Sequence, residues 1–357
     1  MATADSRVAL SLGRQLESES RKFNIGTPPQ PAISLLPLEE SPNRRFRFLR
    51  IFLCVLAFLY LAGTVLGGIG LGWMAMHPFR HPISQGEERN ARAAAQQEGI
   101  EFRDAEITTA DGSTLRAWFM RPPGANGNAV ILLHGVSDNR MGVYGYGQWL
   151  LQDHYMVLLA DARAHGSSGG EIATYGIKES DDIHRWADWV ENNEHPSCIF
   201  GLGESMGAAQ LLQSLPYESR FCAVVAESPF ATFREVAYAR FGREFNTGPW
   251  LGKTFFRPAV DVGFLYVYFH YGLNMEKASP EQAVATTKVP VLLIHGLDDT
   301  NIPPYHSDRI QAKNPSDVVV WKVPGAVHTG AHEAAPEEFD RRVLEWFSAH
   351  SSPPTTQ

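Results

Sequence analysis

An uncharged apolar stretch near the N-terminus constrains this chain more than any other feature. From Ile51 to Met76 no side chain is charged, and Leu, Val, Phe and Gly predominate. A helix of about 20 apolar residues crosses a bilayer, whereas a buried core helix is usually shorter and carries a polar stripe. We therefore predict a transmembrane helix over residues 46–76.

The charges that flank this stretch predict its orientation. The basic residues nearby are Arg44, Arg45, Arg47 and Arg50 before it and Arg80 after it. Because basic residues favour the cytoplasmic side, we expect a cytoplasmic N-terminus and an extracytoplasmic C-terminal domain. A cleavable signal peptide is the alternative, but its apolar region is shorter, and Met74-Ala75-Met76-His77 is a poor cleavage site.

Composition limits the remaining chain. Residues 1–45 and 351–357 are polar and predicted to be disordered tails, and residues 77–101 are predicted to be a linker to a domain at 102–350. The formal net charge of -8 argues against a nucleic-acid partner, since phosphate binding needs a basic surface. The three cysteines form no pattern that indicates a disulfide framework or a zinc site.

Strand and helix patterns alternate from about Phe102 onward. A hairpin is predicted around the Asp111-Gly112 turn, and six short apolar strands follow. Those six segments are 129–133, 156–160, 199–202, 223–226, 291–294 and 318–321, and the helical segments between and after them include 177–191, 206–214 and 336–349. Such alternation is typical of an α/β domain with a doubly wound, mostly parallel, eight-stranded sheet.

One segment, Thr232 to Gln282, is too long to be a simple crossover and is rich in aromatic residues. We predict a helical cap inserted over the sheet, with aromatic side chains lining an acyl pocket. The alternative is that these aromatic residues only pack the core of the cap. A second span is not favoured because Arg257, Asp261 and His270 interrupt the segment, although shallow contact with a membrane surface stays open.

A candidate nucleophile lies in Gly203-Glu204-Ser205-Met206-Gly207, which fits G-x-S-x-G. This motif puts serine on a sharp turn between a strand and a helix, and its glycines allow close backbone packing. The motif alone is a weak signal. Here an apolar strand precedes it and a helical segment follows it, which is the required setting, so we predict that Ser205 is the nucleophile.

Serine needs a general base, and that base needs an acid to orient it. The candidate acids are Asp298 and Asp299, which follow the predicted strand at 291–294, and the residues by themselves leave the choice open. For the base we favour His328 over His332 and His306, because only His328 directly follows a predicted strand end, where parallel sheets place their chemistry.

An oxyanion hole requires preorganised N–H donors. We predict that the backbone N–H groups of Met206, directly after the nucleophile, and Val136, in the loop after the strand at 129–133, supply them. His134 is predicted to be structural. The chain lacks C-x-x-C, H-E-x-x-H and G-x-x-x-x-G-K-[ST], so neither a metal nor a nucleotide is implied, and we expect no cofactor.

The motifs HGVSDNR, DARAHGSSGG, GESMG, ESPF, HGLDDTNIP and GAVHTG occur in this order between about Phe102 and Ala349. In order and spacing they resemble the α/β-hydrolase superfamily, and most of all its membrane-anchored members that are described as dienelactone-hydrolase-like or prolyl-oligopeptidase-like. The resemblance implies an α/β-hydrolase fold, Ser205 as nucleophile, Asp299 as acid, His328 as base, and hydrolysis without a cofactor. The chain departs from true dienelactone hydrolases, which use cysteine, and lacks the HGGG loop of many lipases.

These features predict a membrane-anchored serine hydrolase that cleaves carboxylic esters or thioesters through an acyl-enzyme. A serine peptidase of related fold and a catalytically inactive interaction scaffold are the alternatives. The predicted partners are a small-molecule ester or acyl substrate and the membrane lipid around the helix. The sequence leaves both the protein partners and the natural substrate open.

Overall fold

Short runs of apolar, often β-branched residues form the strands of this chain, as their pattern predicts. The computed structural model describes residues 42–244, 246–248 and 250–351. Of the tails expected at 1–45 and 351–357, residues 1–41 and 352–357 lie outside the described residues, as do the cap residues Phe245 and Pro249. The described residues divide into two compact units, one before Phe58 and one from Phe58 onward, and the second unit holds the whole sheet.

The sheet has eight strands in the order β1-β2-β4-β3-β5-β6-β7-β8. Their bounds are β1 Glu101–Thr108, β2 Thr114–Arg121, β3 Asn128–Leu133, β4 Met156–Ala160, β5 Cys198–Glu204, β6 Phe221–Glu227, β7 Val291–Gly296 and β8 Val318–Val323. Strand β2 is antiparallel to both of its neighbours, β1 and β4, and strands β3 to β8 are mutually parallel. The predicted doubly wound, mostly parallel, eight-stranded sheet is therefore confirmed.

Helices cover both faces of the sheet. Their bounds are α1 Pro42–Met76, α2 Gln85–Gln97, α3 Tyr144–Gln152, α4 Glu179–Glu194, α5 Met206–Ser214, α6 Phe233–Glu244, α7 Trp250–Lys253, α8 Arg257–Tyr271, α9 Pro280–Ala283, α10 Tyr305–Lys313, α11 Ala331–Ala334 and α12 Pro336–Ala349. Two hydrophobic cores lie on the two faces of the sheet, and successive residues of β3 point into different ones. Ile131 packs in one core with Trp186 of α4, and Leu132 packs in the other with Phe347 of α12. This alternation follows from the two-residue period of a strand.

Helix α1 contains the uncharged stretch. In the part of the chain that the structure describes, it is the one helix that is long and apolar enough to cross a membrane, judged by length and composition. It begins at Pro42, so Arg44 and Arg45 lie within the helix rather than before it.

The segment 77–101, predicted as a linker, holds helix α2. A capping box between Ser84 and Glu87 begins this helix, and Ala91 and Ala95 are buried on one side of it. The Arg80 guanidinium also donates hydrogen bonds to the carbonyl oxygens of two loop residues of the domain. The segment is therefore attached to the domain, because alanines four positions apart give α2 an apolar face.

Cys198 and Cys222 form a disulfide, which the cysteine pattern did not indicate. They lie at the starts of the adjacent strands β5 and β6, with their Cα atoms 5.7 Å apart. A register shift between Ile199 and Phe200 leaves Cys222 outside the regular strand pairing. The register of two neighbouring strands decides this bond, and a count of three cysteines carries no information about register.

Between β6 and β7 the chain forms helices α6, α7, α8 and α9 together with two short 3-10 turns, over the region where the cap was predicted. Some of its aromatic side chains, Phe233, Phe264, Tyr266 and Tyr271, pack around an apolar cluster that also contains Met206. Others, Trp250, Phe255, Tyr268 and Phe269, are exposed. The aromatic side chains of this segment thus lie partly in an inner apolar cluster and partly on its outer, solvent-exposed surface.

Candidate active site

Ser205 occupies a sharp turn between strand β5 and helix α5. Its φ and ψ angles are 49° and −109°, a conformation that residues other than glycine rarely adopt. A Cβ atom at Gly203 would lie 2.7 Å from the backbone of Gly207, and one at Gly207 would lie 2.3 Å from the carbonyl oxygen of Leu133. Only glycine fits at these two positions, which is why the motif spacing predicts the turn.

Ser205, His328 and Asp299 are joined by hydrogen bonds. The Ser205 hydroxyl lies 2.8 Å from His328 Nε2, and His328 Nδ1 lies 2.7 Å from Asp299 Oδ2. Asp299 is in the loop after β7, and His328 is in the turn after β8. The structure therefore brings together three side chains from the carboxyl ends of three parallel strands.

The other candidates for the acid and the base lie elsewhere. Asp298 is exposed to solvent, whereas Asp299 is buried. His332 forms an ion pair with Asp340 at 3.2 Å. His306 is buried, and its Nδ1 accepts a hydrogen bond from a backbone N–H of the chain that leads into the cap. Of the candidate acids and bases, Asp299 and His328 are the pair that is joined by a hydrogen bond.

The surroundings of Asp299 stabilise its ionised form. Its Oδ1 accepts hydrogen bonds from the backbone N–H groups of Asn301, at 2.9 Å, and Ile302, at 2.8 Å. Burial alone would raise the pKa of Asp299, but hydrogen bonds from His295 and His328 outweigh it and hold this pKa well below its usual range. Asp299 therefore stays negatively charged opposite His328 at neutral pH.

His295, on strand β7, is a residue of the site that the sequence analysis did not assign. Its Nε2 donates to the carbonyl oxygen of Ile302 at 2.7 Å and lies 3.4 Å from Asp299 Oδ2. Its Nδ1 lies 2.6 Å from the Ser307 hydroxyl. His295 ties the loop that carries Asp299 to the strand. A histidine at the end of a predicted strand, four residues before Asp299, is the sequence feature that could have identified it.

The loop after β3 lies beside Ser205. A Cβ atom at Gly135 would be 3.7 Å from Ser205 Cβ, and Val136 follows directly. Met206 begins helix α5 immediately after Ser205. His134 donates through Nδ1 to the Gly135 carbonyl oxygen at 2.7 Å, and its Nε2 accepts from the Ala162 N–H at 3.1 Å. Met206 is thus adjacent to Ser205, Val136 directly follows the glycine that lies beside it, and both ring nitrogens of His134 contact loop backbone.

Two carboxyl groups at the ends of strands β5 and β6, close to Ser205 in the chain or by backbone contact, were not anticipated. Glu204 Oε1 accepts from the Gly135 N–H at 3.3 Å. Glu227 accepts from the Tyr146 hydroxyl and from the Ala331 N–H, each at 2.9 Å. Burial, together with repulsion from Glu227, raises the pKa of Glu204 to about 8. Burial also raises the pKa of Glu227. Repulsion between the two carboxylates favours the protonated form of Glu204, which the sequence cannot show.

The polar residues after β4 form ion pairs rather than joining the Ser205 group. Buried Asp161 pairs with Arg140 at 2.6 Å, and Arg163 pairs with Asp182 at 2.6 Å. These contacts brace the loops that surround the site. Within the described residues, no group of three His, Cys, Asp or Glu side chains is arranged to hold a metal ion.

A model of the alpha/beta hydrolase family matches residues 130–342, a range that includes all of the Ser205, Asp299 and His328 loops. Among curated proteins, the uncharacterized protein YqkD of Bacillus subtilis is 26% identical over 247 residues, which cover 68% of this chain and 77% of that protein. The similarity therefore extends over most of the domain.

Solved structures share this fold. The esterase Pf2001 of Pyrococcus furiosus is 26% identical, with a TM-score of 0.62, and covers 78% of this chain and 99% of its own. The acylaminoacyl peptidase of Pyrococcus horikoshii is 17% identical, with a TM-score of 0.54, and the match covers 73% of this chain and 43% of that one. At that identity the peptidase is evidence for the fold alone.

Proposed function

The chain belongs to the alpha/beta hydrolase family, as its motifs predicted, and we propose that it is a membrane-anchored serine hydrolase that cleaves carboxylic ester or thioester bonds. The observation that carries the proposal is the continuous hydrogen-bond chain from Ser205 through His328 to Asp299. Structural similarity to the esterase Pf2001 supports a hydrolase acting on esters.

Acylation is the first half of the proposed reaction. Ser205 Oγ attacks the substrate carbonyl carbon while His328 Nε2 takes the hydroxyl proton. The charge of Asp299 stabilises the imidazolium that results and keeps Nδ1 protonated. The negative oxygen of the tetrahedral intermediate is stabilised by N–H groups, for which we assign Val136 and Met206. Collapse of the intermediate expels the alcohol or thiol, which receives its proton from His328.

Deacylation repeats these steps with water as the nucleophile. His328 Nε2 takes a proton from water, whose oxygen attacks the acyl carbon, and the intermediate collapses to release the acid. His328 then returns the proton to Ser205 Oγ. Each residue is restored, so no cofactor is needed, and the low pKa of Asp299 keeps it charged throughout.

We propose an acyl group of medium length as the substrate moiety. Met206, which follows the nucleophile, belongs to an apolar cluster with Phe230, Val267 and Ile302. The cap aromatic residues Phe233 and Phe264 pack against the same cluster. We propose that this cluster receives the hydrocarbon chain of the acyl group, which would favour longer chains over acetyl, since burying each CH₂ contributes about 0.8 kcal/mol.

We further propose that helix α1 spans a membrane and that the domain lies outside the cytoplasm. The arginine-rich start of α1 favours this orientation. The disulfide between Cys198 and Cys222 supports it independently, because disulfides persist in oxidising compartments and are rare in the cytosol. Protease protection of the domain in sealed, right-side-out membrane vesicles would contradict the orientation, and digestion would support it.

Fluorophosphonate labelling of the purified full chain tests the catalytic proposal. We expect the wild type to be labelled and to hydrolyse p-nitrophenyl esters, and Ser205→Ala to lose both, since triad losses reach on the order of 10⁶ in kcat in other serine hydrolases. His332→Ala is the matched control for His328→Ala, and only the latter should inactivate. An unlabelled wild type would indicate a scaffold, and cleavage of peptide substrates in preference to esters would indicate a peptidase.

A further inference from the structure

Helix α8 of the cap runs alongside the second half of helix α1, in the same direction. The Tyr60 hydroxyl donates to the carbonyl oxygen of Phe255 at 2.7 Å, near the start of the pairing. At the other end, the rings of His77 and Tyr271 lie 5.9 Å apart. At a rise of 1.5 Å per residue, this contact extends over roughly 25 Å of helix.

The two helices approach closely because both carry small residues four positions apart. A Cβ atom at Gly68 would lie 2.5 Å from the carbonyl oxygen of Ala259, and one at Gly72 would lie 2.9 Å from that of Gly263. Paired small-x-x-x-small motifs are typical of helices that pack within membranes. The packing therefore fixes α8 at the same depth as the part of α1 from Tyr60 onward.

The side of α8 that faces away from the cap is apolar and exposed. Leu265, Tyr268 and Phe269 lie three and four residues apart and are 54%, 52% and 80% exposed. Phe255, which precedes the helix and contacts Tyr60, is 53% exposed. We call these four residues the cap apolar face. It continues the exposed apolar surface of α1, which includes Leu66, at 72% exposure.

The charged residues of α8 have partners within the cap. Asp261 forms an ion pair with Arg234 and lies 3.8 Å from Arg257. Both arginines have long side chains that can extend toward a polar headgroup layer while their carbon chains stay in an apolar one. The charges at this end of α8 are therefore compatible with contact between the cap apolar face and lipid.

From this continuity we propose that the cap apolar face is inserted into the lipid leaflet that surrounds α1, so that the substrate cleft receives acyl substrates from the bilayer. An exposed apolar patch of this kind marks an interaction surface, and its position against α1 selects lipid as the occupant. This inference rests on the proposed function for the substrate and on the proposed membrane span for the depth of α8.

Depth-dependent quenching tests the insertion directly. In a Cys54→Ala background, Phe269→Cys, Leu66→Cys and Tyr217→Cys are each labelled with a nitrobenzoxadiazole dye, and the full chain is reconstituted in phosphatidylcholine vesicles. Tyr217 is 78% exposed in a turn outside the cap and is the matched control. We expect blue-shifted emission and quenching by doxyl lipids at positions 66 and 269, and neither at position 217.

The outcomes separate the two proposals. Quenching at Leu66→Cys without quenching at Phe269→Cys overturns insertion of the cap while the anchor stands. No quenching at either position overturns both the span and the insertion. Fluorophosphonate labelling of each variant reports on the hydrolase proposal independently of these results and shows that the variant is folded.

Kinetics provide a second test. We expect Leu265→Ser/Phe269→Ser to hydrolyse soluble p-nitrophenyl butyrate as the wild type does, but to lose about tenfold or more in activity on a long-chain ester embedded in vesicles, because two apolar side chains no longer bind lipid. Tyr217→Ser is the control. Equal losses on both substrates, or none on the vesicle substrate, would overturn the proposal.

Discussion

Glu204 and Glu227 lie in register on the parallel strands β5 and β6, and the Ser205 N–H donates to the Glu227 carbonyl oxygen at 2.8 Å. Ser205 thus directly follows one glutamate in the chain and is hydrogen-bonded to the backbone of the other. Burial and repulsion from Glu227 raise the pKa of Glu204 to about 8, which favours a proton on Glu204 at neutral pH. The proton removes a repulsion that would otherwise act beside the active site.

This pair makes stability depend on pH. The pKa of Glu204 in the folded chain is about 8, above its ordinary value of 4.5, so the folded state binds more protons than the unfolded state between these values. The free energy of unfolding should therefore fall as the pH rises from about 4.5 to 8, by at most about 1.4 kcal/mol per pH unit for one proton. Urea titrations across this range measure it.

Glu204→Gln should flatten that pH dependence, because the amide is neutral at every pH. The exposed Glu333 is the control position, and Glu333→Gln should leave the slope unchanged. A Glu204→Gln chain that loses stability as steeply as the wild type between pH 5 and 8 would show that Glu204 is not the group that holds the proton.

Replacing the two neighbouring aspartates should have unequal effects. Asp299→Asn removes the charge that orients His328, and losses of roughly 10⁴ in kcat follow such changes in other triads. Asp298→Asn alters an exposed side chain and should retain most activity. Steady-state kinetics on a p-nitrophenyl ester compare them. If Asp298→Asn were the more damaging variant, the assignment of the acid would be wrong, although the fold would stand.

The disulfide should contribute to stability rather than to catalysis. It closes a loop with a sequence separation of 24 residues, for which chain entropy suggests a contribution of about 3 kcal/mol. Cys198→Ser/Cys222→Ser should lower the free energy of unfolding by about this amount and preserve kcat. Denaturant titrations measure the free energy of unfolding, and Cys54→Ser is the matched control. A loss of kcat at full stability would point to a role in the active site instead.

The dependence of activity on acyl chain length tests whether the apolar cluster that contains Met206 receives the acyl chain. We expect kcat/KM to rise from acetyl to octanoyl esters, since each added CH₂ that is buried contributes about 0.8 kcal/mol. The series is measured with p-nitrophenyl esters below their critical micelle concentrations. Flat or falling values would mean that Phe233, Phe264 and their neighbours only pack the core of the cap, which is the alternative that the sequence left open.

Residues that act through local geometry were predictable from the sequence. The turn at Ser205 follows from Gly203 and Gly207, because their spacing permits a backbone approach that any Cβ atom would block. The mostly parallel sheet could be anticipated for the same kind of reason, since short apolar runs separated by helices form parallel sheets covered on both faces. The uncharged length of α1 likewise indicated a helix able to cross a membrane.

Other features depend on which distant segments meet, and only the tertiary structure decided them. Asp299 rather than Asp298 faces His328 because hydrogen bonds from Asn301 and Ile302 determine how the loop turns. The disulfide depends on a register shift between β5 and β6, and the raised pKa of Glu204 depends on burial beside Glu227. The local sequence pattern determines which segments of this protein form strands and helices. The contacts between distant side chains, and the pKa shifts that follow from them, arise only when the strands pair, so the tertiary structure determines them.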